Sequence, residues 1–311
     1  MSPIVPSLLD NSGPPFTRPA RSVEIVGEDV ADRWPLPSLE EATSKVQRGT
    51  VLIVGGSIQT PGAVLLAGIA ALRAGAGRLQ IATTGPTAVG LAVGIPEARV
   101  IGLGTVDAEI DPRSIDQIAS NIARAETILL GTGTLDAANA AAVALAVVER
   151  MGSSGRVVFD AGSLALVPAE SGVIRSLGDR AILIPNVTEA GHLLDCEPAA
   201  VEASAPAALT ELVDDLQTVV TLRMATTYTA GSTGPIYRDD CGPSALATAG
   251  SGDVFAGILA GMLTSGAPSL SATIRAVRCH GLSGHAAVQR IGGHSILARD
   301  LLQEIPCTSA R

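Results

Sequence analysis

Residues 49–77 read GTVLIVGGSIQTPGAVLLAGIAALRAGAG. Four apolar residues, Val51–Val54, run into Gly55-Gly56-Ser57, and Pro61-Gly62-Ala63 then opens an alanine- and leucine-rich stretch, Ala63–Ala74. An apolar strand without polar alternation is buried on both faces. A helix soon after a glycine turn carries the chain back across the sheet. The pattern recurs downstream. Arg78–Ala82 is followed by Val100–Leu103 and Ile115–Ala125, then by Thr127–Leu130 and Ala137–Arg150. Further strands are expected at Val157–Phe159, Ala181–Ile184 and Val219–Leu222. The reading is an α/β fold with a mostly parallel sheet covered on both faces. Thr226–Ala230 and Pro235–Arg238, joined by Gly231 to Gly234, form an expected hairpin. From about Gly252 the chain reads as helices at Asp253–Leu263, Leu270–Gln289 and Ser295–Ile305. Residues 1–48, rich in Pro, Ser and charge, are expected to be an N-terminal extension with one short helix near Leu39–Val46. Residues 49–306 are the expected α/β domain and 307–311 a C-terminal tail.

Composition narrows the function. Of 311 residues 47% are hydrophobic and 16% charged, enough to bury a large core. Lys45 is the only lysine among 21 basic residues, so a phosphate loop ending in Gly-Lys or a Schiff-base lysine would have to use it. No glycine-rich run precedes it. Six aromatics and a net charge of −9 argue against nucleic-acid binding. Cys196, Cys241, Cys279 and Cys307 show no metal or disulfide spacing, and reduced thiols point to a cytoplasmic setting. The N-terminus lacks a signal-peptide layout. The uncharged stretches Gly49–Leu72 and Val254–Ile274 are broken by Gly, Ser, Thr or Pro and read as buried core rather than membrane spans.

Ligands of open parallel sheets bind beyond the carboxyl ends of the strands. Those ends carry Gly55-Gly56-Ser57, Gly131-Thr132-Gly133-Thr134, Asp160-Ala161-Gly162, Pro185-Asn186-Val187-Thr188-Glu189 and Arg223-Met224, which together outline a cleft. Glycine after a strand is ordinarily only a turn, so the co-location carries the argument. Ala247-Thr248-Ala249-Gly250-Ser251-Gly252-Asp253 runs straight into an apolar helix. Small residues there leave the first amides free for an anion. Asp253, in the first turn, is expected to stay ionised in the helix field and to take a proton from a hydroxyl attacking phosphate. Its alternative role is a helix cap. His192 reads as solvated, His280 and His285 as core or helix-contact residues, and His294 as a cap. The sequence shows no metal-ligating cluster.

These motifs resemble the ribokinase-like superfamily and, within it, the ADP/ATP-dependent NAD(P)H-hydrate dehydratases. The likeness rests on Val51–Ser57, Pro61-Gly62-Ala63 and Ala70–Gly77 at one end. Leu246–Ile258, His280-Gly281-Leu282-Ser283-Gly284 and Leu297–Leu302 carry it at the other. The resemblance implies a three-layer α/β/α domain, and an enzyme that uses ADP or ATP, with Mg²⁺, to phosphorylate the hydroxyl of hydrated NAD(P)H. Phosphate then leaves and the dihydronicotinamide is restored. It implies Asp253 as base and Gly250, Ser251 and Gly252 as the phosphate cradle. Ala63, Gly133 and Asn186 would contact the hydrate, and Arg223, Met224, Ala225, Thr226 and Thr227 the nucleotide. A homo-oligomer without nucleic-acid or membrane partners is expected.

The chain departs from the family pattern at Asn186, where histidine is common, and at Arg223-Met224, where Lys-Gly is usual. Gly242-Pro243-Ser244-Ala245 and His285 differ as well. A kinase of a small alcohol and a non-catalytic nucleotide-binding paralogue are the competing readings. Adenine would be held mainly by aliphatic walls, since Tyr228 and Phe255 are the only aromatics nearby in sequence.

Overall fold

The computed structural model describes residues 16–38 and 42–305. Ten strands form one sheet: β1 (Val23–Ile25), β2 (Thr50–Val54), β3 (Arg78–Thr84), β4 (Ala98–Leu103), β7 (Thr127–Leu130), β8 (Arg156–Phe159), β9 (Ala181–Leu183), β10 (Val219–Leu222), β11 (Thr227–Ala230) and β12 (Ile236–Asp239). Between β4 and β7 lies a separate two-stranded hairpin of β5 (Thr105–Val106) and β6 (Glu109–Ile110). The sheet order is β1-β12-β11-β10-β9-β8-β7-β2-β3-β4. Only β11 runs against the rest, through the hairpin expected at Gly231 to Gly234.

The strands read as unbroken apolar runs because both faces are covered. Val51 and Ile53 of β2 enter one core with the helices Pro61–Arg73 and Ser251–Leu263. Leu52 and Val54 enter the other, with the helices Ala137–Val148 and Ala205–Leu216. The result is the expected three-layer α/β/α sandwich.

The helices Pro61–Arg73 and Ser251–Leu263 meet backbone to backbone. A Cβ on Gly257 would lie 2.2 Å from the Ala67 carbonyl oxygen, and one on Gly261 2.4 Å from that of Ala71. Neither oxygen can move without shifting its helix, so Gly257→Ala should destabilise the protein by about 2–3 kcal/mol. In a domain of this size that is a fall in Tm on the order of 5–10 °C. A thermal melt unchanged by the substitution would show that the helices do not approach this closely.

The described residues before Gly49 are built into the sheet and cores. Phe16 is buried in one core, Glu211 accepts from the Arg18 amide at 2.8 Å, and β1 pairs with β12 in parallel. Trp34 packs edge-on against Tyr237, with ring centroids 5.1 Å apart. Of the short helix expected at Leu39–Val46, residues 39–41 lie outside the described residues, as does Cys307, and 44–48 form a bend and turns.

Two further expectations change. Ile115–Ala125 is a 3₁₀ segment, Pro112–Ile118, followed by the helix Ala119–Arg124. Asp111 caps its start by accepting from the Arg113 amide at 3.0 Å, and Pro112 follows it. In place of Ser295–Ile305 only Ala298–Leu301 is an α-helix, because Asp300 accepts from the Leu297 amide at 2.8 Å and sets the helix start there. His294 and Ser295 therefore lie before the cap rather than at it.

Candidate active site

Register brings the strand ends to one line. Val54 pairs with Leu130, Leu130 with Phe159 and Phe159 with Leu183, so Gly55, Gly131, Asp160 and Ile184 leave the sheet side by side. A further parallel bridge joins Asn186 to Arg223. Gly131 has φ +90°, and a Cβ there would meet the Asp160 carbonyl oxygen at 2.0 Å. No side chain fits between those loops. Beyond this edge opens a cleft of about 980 Å³, lined on one side by Asp160, Asn186, Glu189 and Arg223 and on the other by Gly250–Asp253 and His280.

Arg223 organises the floor. Its Nε donates to the Ile184 carbonyl at 2.7 Å and its Nη2 to Asp160 Oδ1 at 3.0 Å, with Glu189 Oε2 3.6 Å away. Glu189 is held by a capping box at the start of the helix Val187–Leu194. The Asn186 amide donates to Glu189 Oε2 at 2.8 Å, and the Glu189 amide donates to Asn186 Oδ1 at 2.9 Å. Burial pushes the carboxyls of Asp160 and Glu189 above their usual range, while Arg223 opposes the shift in both.

Arg223 also reaches the helix Ser251–Leu263. A Cβ on Gly252 would lie 2.5 Å from Nη1, so the guanidinium occupies the space that a side chain there would take. Gly250 has φ +87° and caps the helix without a side-chain bond. The Ser251 amide donates to the Thr248 carbonyl at 3.2 Å and the Val254 amide to that of Gly250 at 3.1 Å. The amides of Gly252 and Asp253 have no acceptor among the described residues. Two open amides, the positive end of the helix and a guanidinium thus converge on one point, an arrangement that suits an anion.

Asp253 borders that point and makes neither a cap bond nor an ion pair among the described residues. The cap, its alternative role, is not formed. The expectation of full ionisation is also revised. Burial, followed by the charge of Asp160, raises its pKa to about 7 against the pull of Arg223. Desolvation outweighs the helix field here, and a base with a pKa near neutrality is well matched to proton transfer at physiological pH.

His280, expected as a core or helix-contact residue, makes a helix contact and also lines the cleft. Its Nε2 lies 3.0 Å from Ser251 Oγ and its ring 5.7 Å from that of Phe255. Burial, then the nearby Arg223, lowers its pKa to about 4. It is therefore neutral and orients Ser251 without adding charge. The long helix Ser269–Ile291 aims His280 inward, whereas His285, five residues on, is exposed, as is His192.

The cleft gathers Asn186, Arg223, Met224, Ala225, Thr227 and the run Gly250–Asp253. Thr226 is not in its lining and donates instead to Asp240 at 2.7 Å. Ala63 and Gly133 lie together outside its lining. A Cβ on Gly133, at φ +72°, would fall 2.7 Å from that of Ala63, and Thr60 Oγ1 donates to the Gly133 carbonyl at 2.7 Å. Met224 is half-buried against an apolar cluster and also lines the cleft. Gly242–Ala245 packs on the long helix, where a Cβ on Gly284 would meet Pro243 at 3.0 Å. Asp160, Glu189 and His280 are the site residues to which the sequence reading gave no chemical role.

A mostly parallel sheet between helical layers, with an open cleft at its C-terminal edge, defines a ribokinase-like architecture. A ribokinase-like protein of known structure from Enterococcus faecalis shares this fold at TM-score 0.78 and 21% identity, over 92% of this chain and 95% of that one. The family model described as NAD(P)H-hydrate dehydratase matches residues 51–307. This chain belongs to the NAD(P)H-hydrate dehydratase family. It is 36% identical to an ADP-dependent (S)-NAD(P)H-hydrate dehydratase of Xanthomonas campestris, over 88% of this chain and 91% of that one. The ADP/ATP-dependent NAD(P)H-hydrate dehydratase of Bacillus subtilis, co-crystallised with ATP/Mg²⁺, matches at TM-score 0.72 and 25% identity, over 88% and 93% of the two chains. The chain spans about half the length of the bifunctional NAD(P)H-hydrate repair enzymes it also matches.

Proposed function

We propose that this protein restores NAD(P)H from its hydrate in a reaction driven by ADP or ATP. The observation that carries the reading is Asp253, a carboxylate without a hydrogen-bond or ion-pair partner among the described residues and with its pKa raised to about 7, beside the open amides of Gly252 and Asp253 and the Arg223 guanidinium. The terminal phosphate of the nucleotide sits on those amides, with Arg223 sharing its charge between the phosphate and Asp160. Asp253 removes the proton from the ring hydroxyl as its oxygen attacks phosphorus and the nucleotide leaves one phosphate shorter. The ring nitrogen lone pair then expels phosphate from carbon, and loss of a neighbouring carbon-bound proton completes the dihydronicotinamide. Asn186 Oδ1 is committed to its cap, which leaves Nδ2 to donate to the hydrate, while Ala63 and Gly133 flank the approach.

Among the described residues no group of three His, Cys, Asp or Glu could hold a metal ion. Mg²⁺ would be carried by the nucleotide and would supply charge to offset that of its phosphates. Adenine rests against Pro243, Leu246 and Val277, in keeping with the scarcity of aromatics. We place the protein in the cytoplasm as a homo-oligomer. Val89 and Val93 are 75% and 78% exposed on the helix Gly85–Gly94, which bears no charged residue. Among the described residues no helix is long and apolar enough to cross a membrane.

Product analysis tests the reading. Dehydration yields orthophosphate and the shorter nucleotide in equal amounts, whereas a stable phosphorylated organic product would identify a small-alcohol kinase. The pH profile is a second check. Because the free base must be unprotonated, kcat/KM should fall about tenfold per unit as pH drops below the Asp253 pKa of about 7. A profile flat from pH 5 to 8 would remove Asp253 as the base.

A further inference from the structure

We propose that the opposite edge of the sheet carries a second anion site, which takes a phosphate dianion, free or as a small monoester. At the N-terminal ends of β2, β3 and β4 is a pocket of about 220 Å³. Register builds it. Thr50 pairs with Arg78 and Gln80 with Arg99, and Arg78 and Gln80, two apart on β3, share a face. Farther along that face come Leu52, Ala82 and Leu103, all in the apolar core. Its first turn is instead Arg, Gln and Arg. The helix Ala119–Arg124 closes over it with Ser120, Asn121 and Arg124.

The charges in this pocket are unbalanced. Most ion-paired arginines of the chain face a nearby carboxylate at the surface, as Arg113 does Asp111 and Arg290 does Glu304. The side chains of Arg78, Arg99 and Arg124 make no ion pair or hydrogen bond among the described residues, in a protein whose net charge is −9. The carboxylate in the lining, Glu126, accepts from the Thr50 amide at 2.7 Å. Three guanidiniums and this carboxylate leave the pocket two positive charges, matching a phosphate at neutral pH. Neutral donors are poised as well. Asn121 Nδ2 donates to Gln80 Oε1 at 2.7 Å, which fixes the Gln80 amide and leaves its own NH₂ free. Residues 45–48 press on the start of β3, where a Cβ on Gly77 would meet the Lys45 carbonyl oxygen at 2.2 Å, and Val46 completes the wall.

Arginine-selective labelling with phenylglyoxal, followed by peptide mapping of the full chain, tests this directly. At constant ionic strength, millimolar inorganic phosphate in place of chloride should slow labelling of Arg78, Arg99 and Arg124 about tenfold, and leave the exposed Arg73 and Arg299 unchanged. A parallel arm with glycerol phosphate separates the sources, since protection by the monoester alone assigns the site to monoesters and equal protection assigns it to the phosphate group itself. In the double variant Arg99→Gln, Arg124→Gln, protection of Arg78 should need at least about tenfold more phosphate while nucleotide-dependent turnover is retained. All the altered side chains are exposed, so the fold is preserved. Failure of both ligands to protect the three arginines, or protection of Arg78 that survives the double substitution, overturns the proposal. Arg223 in the cleft reports separately on the active site in the same maps.

Discussion

Asp253→Asn is expected to lower kcat by about 10²–10⁴-fold while leaving nucleotide affinity within about threefold of the parent, since an amide fills the same space but cannot take a proton. Stability supplies a readout independent of activity. Folding lifts the Asp253 carboxyl from its ordinary value of 3.8 to about 7. Between these values the folded state binds a proton that the unfolded state does not, so stability is lost as pH rises through that window. The asparagine variant lacks this loss and should melt higher than the parent at pH 8, with the difference vanishing near pH 4. Full activity in the variant would assign the base elsewhere. A lower melting temperature at pH 8 would mean that Asp253 is a structural group.

Arg223→Met should be the most damaging single change. Asp160 is almost wholly buried, 3% exposed, and Arg223 is its ion-pair partner. Removing the guanidinium leaves Asp160 and Glu189 without a counter-charge, at a cost of about 3–5 kcal/mol. The same change strips the anion cradle of its cation, so the KM for nucleotide should rise by about 10–100-fold. A second substitution separates the two effects. Arg223→Met with Asp160→Asn should recover much of the lost stability, because no unpaired buried charge remains, yet nucleotide binding should stay weak. Recovery of both together would show that Arg223 acts only as a structural counter-ion. Arg223→Lys should keep most of the stability but lose the fork that joins the Ile184 carbonyl to Asp160.

Much of this architecture is legible in the amino-acid sequence, because its signals are local. Val51–Val54 is apolar without alternation and Val219–Leu222 is apolar but for Thr221, and both lie buried in the sheet. Gly250-Ser251-Gly252-Asp253 before an apolar helix reads as an anion cradle, and the helix does begin there. What escaped depends on long-range register. Asp160 and Arg223 are 63 residues apart and meet only because β8, β9 and β10 are adjacent and aligned. The role of His280 depends on the phase of a 23-residue helix, which five residues later points His285 to solvent. The helix Gly85–Gly94 was missed for a different reason: three glycines and Pro86 make its local propensity poor, and Leu91 and Ile95 hold it through the core. The ionisation of Asp253 was misjudged because the helix field is visible in sequence while burial is not.

The decisive measurement is to incubate the purified chain with NADH hydrate and either ADP or ATP, and to follow the absorbance of the dihydronicotinamide. Recovery with at least one nucleotide, absent without nucleotide and abolished in Asp253→Asn, is the result this account predicts. No recovery with either nucleotide, or recovery undiminished in the Asp253→Asn protein, would contradict it.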